Sequence, residues 1–194
     1  MKKTLIILAL ASLGVTSAHA AVDSVAVATW QATAKKDTTS SLVVTPLTSL
    51  SFQYAEGVEE FNTVNGLFDV SIMGRFGDPT GSPYTDFTLK AKKLSSTLNH
   101  LSGGSTVEVG VMWQGVPLTN TGYTALIDTA NGVSGGTLSS LSSTFNVNER
   151  STAQGSFNFF IESATVGGST SAFSALPDGL WSGEVSVEFV ASWA

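Results

Sequence analysis

The chain holds few residues able to move a proton or bind a metal. Its two histidines are His19 and His100, and it has no cysteine. A Ser–His–Asp relay needs a positioned histidine, and a zinc site needs several His or Cys ligands. His100 stands alone in a polar stretch and is read as a surface residue. "DTANG", Asp128 to Gly132, starts like a calcium loop but lacks the acid at its third position and the distal bidentate Glu, so it is read as a turn. "GVSGGT", Gly132 to Thr137, has neither the G-x-x-x-x-G-K spacing of a phosphate cradle nor a basic residue nearby. Glu59-Glu60 and the scattered aspartates could in principle supply a carboxylate pair for glycoside cleavage. Their turn-like contexts favour solubilising charge. The chain is therefore expected to be no enzyme and to use no metal and no cofactor.

The segments around these residues read as strands. Short alternating runs recur, broken by Gly, Ser, Asn, Asp or Pro, and no window shows helical periodicity. The clear runs are Leu42–Leu47, Leu50–Ala55, Gly66–Met73, Phe87–Lys92, Ser105–Trp113, Tyr123–Asp128, Ser156–Glu162 and Gly183–Trp193. Val107, Val109 and Val111 share one face of their run, opposite Thr106, Glu108 and Gly110. Gln114-Gly115 is the turn of a hairpin within "WQGVPL". Gly74–Tyr84 and Asn131–Ser143 read as loops. Seven or eight strands with frequent turns predict an all-β, immunoglobulin-like sandwich.

Composition agrees. Charged residues are 12%, hydrophobic residues 42%, and the 9 Lys and Arg are outnumbered by 15 Asp and Glu. That balance is wrong for nucleic acid, which is held largely by Lys and Arg on phosphate. The first twenty residues read as an export signal: Lys2 and Lys3, an apolar run from Leu5 to Leu13, then Ala18-His19-Ala20 as a cleavage site. The run is too short to span a bilayer. Cleavage would remove two basic residues and sharpen the acidic excess. An exported chain without disulfides must draw its strength from packing and backbone pairing.

The two ends of the expected mature chain raise a further question. "VSVEFVASWA", Val185 to Ala194, closes it with an apolar face of Val185, Val187, Phe189, Ala191 and Trp193, opposite Ser186, Glu188, Val190 and Ser192. "AVATWQATA", Ala26 to Ala34, also alternates: Val25, Val27 and Thr29 on one side, and Ala26, Ala28, Trp30, Ala32 and Ala34 on the other. The polar run Lys35–Ser41 separates it from the body like a hinge. The pattern permits two readings, a first strand of its own sheet or a strand that reaches elsewhere.

"ATWQATAKKDTTSSLVVTPL", "FQYAEG", "GLFDV", "IDTANGVSGG" and "LPDGLWSGEVSVEF" closely resemble the major pilins of the enterobacterial common pilus, a family of the alternative chaperone–usher pathway. The resemblance runs from Ala26 to Trp193, and its most specific stretches are Ile127–Val133 and Trp181–Val187. It implies a sandwich lacking one strand, completed by the N-terminal extension of the next subunit. Residues 1–20 would then be the signal peptide, 21–34 the donor strand, 35–41 a linker and 42–194 the pilin domain. The donor residues would be Val22, Val25, Val27, Thr29 and Trp30, with the β-branched face expected to enter the groove. Val185, Val187, Phe189, Ala191 and Trp193 would form one groove wall. The implied partners are identical subunits, a periplasmic chaperone, an outer-membrane usher, a tip adhesin and a host cell surface. The implied destination is a surface fimbrium supporting adhesion and biofilm formation. The rival reading is a monomeric secreted sandwich that binds carbohydrate or host protein.

Overall fold

The structure, a computed structural model, describes residues 40–194. Thirteen strands carry the fold among the described residues. They are β1 (Leu42–Pro46), β2 (Tyr54–Ala55), β3 (Glu60–Phe61), β4 (Val64–Met73), β5 (Phe87–Ser95), β6 (Thr97–His100) and β7 (Ser105–Trp113). Then follow β8 (Val116–Pro117), β9 (Thr124–Asp128), β10 (Arg150–Val166), β11 (Ser169–Ser171), β12 (Trp181–Gly183) and β13 (Ser186–Trp193). A short helix, α1 (Ser139–Thr144), precedes β10.

The strands form a large sheet in the order β1-β4-β10-β7-β6-β12 and a smaller one in the order β13-β5-β9. β8 and β11 extend β7 and β10, and β2 and β3 make a separate ribbon. Every strand pairing is antiparallel. This is the all-β sandwich that the alternating runs predict.

The core follows from side-chain period. Val70 and Ile72 of β4, Val107, Val109 and Val111 of β7, and Phe87, Leu89 and Ala91 of β5 are buried between the sheets. Their alternate neighbours face outward, as a pleated strand with one wet face requires. Leu138 and Leu141, at the start of and within α1, are fully buried and plug one end. The hairpin turn lies at Gln114-Gly115, with φ of 48° and 83° and Trp113 opposite Val116. Two positive φ values in succession mark the primed turn that matches strand twist.

Two of the connections that switch sheets are very short. β5 runs into β6 through Ser96, and β12 runs into β13 through Glu184 and Val185, each passing from one sheet to the other. The sequence had presented Gly183–Trp193 as a single strand, and the crossing divides it. Leu50–Ala55 also departs from expectation, since only Tyr54–Ala55 is a strand. His100 is a larger correction. It is buried at 8% exposure, its ring edge-on to Trp181 at 4.8 Å and its Nε2 3.2 Å from the Asp178 carbonyl. Gly179 makes room for it, because a Cβ there would lie 2.2 Å from His100 Nε2.

Candidate functional site: an open groove between two edge strands

The final strand lies at a sheet edge. Among the described residues β13 pairs with β5 alone, and β1, at the margin of the other sheet, pairs with β4 alone. One flank of each backbone is thus left without a strand partner among those residues. Such edges invite a further strand and are normally blocked or covered.

The space between these edges is apolar. A cavity of 280 Å³ is lined by Val187 and Phe189 of β13, by Val44 and Pro46 of β1, and by Phe68 and Phe157 beneath. Its floor is a ring cluster: Phe68 and Phe157 stack at 4.6 Å, and Phe189 lies 5.4 Å and 5.8 Å from them. Gly66 also borders this space, where a Cβ would meet the Phe159 ring at 2.3 Å. Glycine therefore lets that ring lie flat along the groove.

A second cavity, 710 Å³, lies against Phe52, Tyr54, Phe61, Leu98 and Trp181. Phe61 meets Trp181 edge-on at 6.4 Å and Phe173 at 5.7 Å. Trp181 is fixed from behind by its Nε1, which donates to Ser105 Oγ at 3.2 Å. Leu50 and Val185 line both cavities, so the two adjoin there and together are called the groove. Val185 occupies this junction because it sits where the chain crosses between sheets.

The five residues expected to form a wall separate into two groups. Val185, Val187 and Phe189 line the groove and are half-buried. Ala191 and Trp193 line neither cavity. Trp193 packs on Phe87 at 5.2 Å, donates Nε1 to the Phe145 carbonyl at 3.1 Å, and lies under the Arg75 guanidinium. The last residue is also tied down: the Ala194 carbonyl accepts from the amides of Thr85 and Asp86. The expected donor residues Val22, Val25, Val27, Thr29 and Trp30 fall outside the described residues. Alternation within single strands gave no sign of the opposite wall, which is built by Val44, Leu50, Phe52 and Phe61.

The outward face of β13 is conventional surface. Lys92 reaches Glu188 at 2.9 Å and lies 4.7 Å from the centre of the Tyr123 ring. The hydrogen bond from Lys92, with a smaller one from Tyr123, holds the Glu188 carboxyl below its usual range. The same bond to Glu188 raises Lys92. Asp78, in the Gly74–Tyr84 loop, accepts from the Thr80 hydroxyl and from the Thr80 and Ser82 amides, and its pKa is lowered, chiefly by the Thr80 hydroxyl bond. Asp128 closes its turn by accepting from Asn131 and pairing with Val133, so "DTANG" is a turn.

The groove, rather than any cluster of reactive groups, is thus the notable feature of this surface. The family model of fimbrillin MatB matches residues 23–193. The chain belongs to the MatB fimbrillin family. Its relatives include the common pilus major fimbrillin subunit EcpA of Escherichia coli K12 and that of Escherichia coli SMS-3-5 / SECEC. Each is 51% identical over 199 residues, spanning 100% of this chain and 99% of the relative. Among solved structures, the CooA pilin subunit from enterotoxigenic Escherichia coli aligns at a TM-score of 0.48 and 18% identity, over 77% of this chain and 87% of that one. The fimbrillin family agrees with the sequence-based resemblance to common-pilus pilins.

Proposed function

We propose that this fimbrillin is the major structural subunit of a surface pilus, polymerising head to tail as a chain of identical copies, and that it is not an enzyme. The carrying observation is full-length similarity, at 51% identity, to proteins named major fimbrillin subunits of the common pilus. The pilus displays its subunits outside the cell and supports adhesion and biofilm formation.

The joint between subunits is the groove. Residues 22–34 of one copy, which include Val22, Val25, Val27, Thr29 and Trp30, add as a strand along β13 of the next. Val185, Val187 and Phe189 form the receiving wall, with Ala191 and Trp193 continuing that strand. Such β-strand addition takes affinity from main-chain hydrogen bonds and specificity from alternate side-chain pockets. Three or four buried side chains would contribute about 1.5–3 kcal/mol each. Each new backbone hydrogen bond would add about 0.5–1.5 kcal/mol. A joint of this kind needs no disulfide, in keeping with the absence of cysteine. The open groove before assembly calls for a periplasmic chaperone that covers it and an outer-membrane usher that replaces that cover with the next subunit. A tip adhesin would end the filament and meet the host surface.

The test is urea unfolding of three samples: the chain from Ala21, a version beginning at Ser41, and that version with a peptide of residues 22–34. Loss of stability on truncation and its return with the peptide supports a transferable strand. A truncated chain that is equally stable and monomeric points to a complete secreted domain instead.

A further inference from the structure

The groove is uneven along its length, and that unevenness selects one face of the strand it receives. This inference rests on the donor-strand reading. The narrow part, 280 Å³, runs beside Val187 and Phe189 over the Phe68–Phe157 stack. The wide part, 710 Å³, opens beyond Val185 among Phe52, Phe61 and Trp181. Large and small inserted side chains therefore have different places to go.

Residues 22–34 offer two faces. One carries Asp23, Val25, Val27, Thr29, Gln31 and Thr33; the other carries Val22, Ser24, Ala26, Ala28, Trp30, Ala32 and Ala34. Burying the first would take the Gln31 amide and two threonine hydroxyls out of water, a costly transfer wherever they meet no partner. From Ala26 to Ala34 the second face has a single polar atom, the indole N–H. It also matches the contour in order: small residues, then one large aromatic.

Direction fixes which end Trp30 meets. All strand pairings among the described residues are antiparallel, and antiparallel ladders are slightly the more stable per residue. A donor antiparallel to β13 meets Phe189, then Val187, then Val185 as its own numbering rises. With Ala26 and Ala28 beside Phe189 and Val187, the next inward residue is Trp30. It lies about 6.6 Å further on, at Val185, where the groove widens.

We propose that the Ala26–Ala28–Trp30 face of one subunit enters the groove of the next, with alanines in the narrow part and the Trp30 indole in the wide part against Phe61 and Trp181. Val25, Val27 and Thr29 then face outward. This reverses the orientation expected from β-branched residues alone. The groove already has its bulk in the rings of Phe68, Phe157 and Phe189, so small donor residues fit there and valines crowd it. Trp30 becomes the anchor, an aromatic residue in a preformed pocket of the kind that dominates binding energy at interfaces.

The absence of native cysteine makes the face directly readable by cross-linking. Three double variants of the full mature chain are assembled into filaments, oxidised mildly and run on a non-reducing gel. They are Ala28→Cys with Val187→Cys, Val27→Cys with Val187→Cys, and Val27→Cys with Glu188→Cys. The proposal predicts covalent ladders from the first and third pairs and none from the second. A ladder from the second pair without the first overturns the orientation but leaves strand donation intact. Filaments that give no ladder with any pair overturn the face and register proposed here, while strand donation itself is judged by the peptide-rescue test. A companion measurement compares dissociation temperatures of Trp30→Ala, Trp30→Phe and Val27→Ala filaments in detergent. Trp30→Ala should fall furthest and Trp30→Phe should recover part of the loss. A larger fall for Val27→Ala would contradict the assignment.

Discussion

β7 and β13 carry nearly the same sequence pattern and meet different fates. Val107, Val109 and Val111 of β7 are 2%, 0% and 1% exposed, while Val187 and Phe189 of β13 are half-buried. Alternation is equally clean in both. The difference lies in neighbours: β7 is flanked by β10 and β6, whereas β13 has β5 on one side and no strand among the described residues on the other. An apolar alternating strand is thus closed core when it is central and an open edge when it is marginal. The closed half gives the subunit its stability, and the open half is where the next subunit would attach.

Substitutions in the two halves should therefore fail in different ways. The largest effect is expected in the closed half. Phe87 is fully buried, stacked on Phe145 at 5.7 Å and packed on Trp193. Phe87→Ala should cost about 3–5 kcal/mol of folding stability by urea unfolding. A cost as small as that of a surface change would mean that this half is not the stabilising one.

Gly66→Leu comes next and strikes the open half. Its Cβ would press on the Phe159 ring and its branches would occupy the narrow part of the groove. Strain of about 1–3 kcal/mol is expected in the fold, alongside nearly complete loss of filament growth by electron microscopy. Normal filaments from a folded Gly66→Leu chain would show that the narrow part is not used.

The smallest effect belongs to the outward face of β13. Glu188 has its pKa lowered by Lys92, so the pair stabilises the fold above about pH 4.5, the ordinary glutamate value, and is lost as pH falls through the lowered one. Because the pair remains partly open to solvent, only a slight change is expected. The melting temperature of Glu188→Gln should sit a little below the parent at neutral pH and converge with it in acid. A gap that widens in acid would reverse the sign.

The closed half was well written in the sequence. Ser105–Trp113 matches β7 residue for residue, and the Gln114-Gly115 turn is where its residues place it. Both are local signals of period two and turn chemistry. β10 was seen only as Ser156–Glu162, because Ala153 and Gly155 supply too little apolar contrast to extend the pattern. α1 was missed because a six-residue Ser-rich helix with Leu141 as its one buried residue has no visible period.

The groove was half legible. Val185, Val187 and Phe189 belong to one run and share a face, so alternation found them. Their counterparts Leu50, Phe52, Phe61 and Trp181 come from an irregular stretch, a two-residue strand and the strand before the crossover. Only the chain's return through space brings them together. His100 was misread for the same reason, since burial came from Trp181 and Asp178, about eighty residues away.

The most direct measurement is amide hydrogen exchange on subunits in filaments and on the same chain kept monomeric. Strand addition at the open edge predicts that β13 amides not bonded to β5 exchange quickly in the monomer and become strongly protected in the filament, while β7 is equally protected in both. Unchanged β13 exchange on polymerisation would contradict the account, because the joint would then lie elsewhere on the subunit.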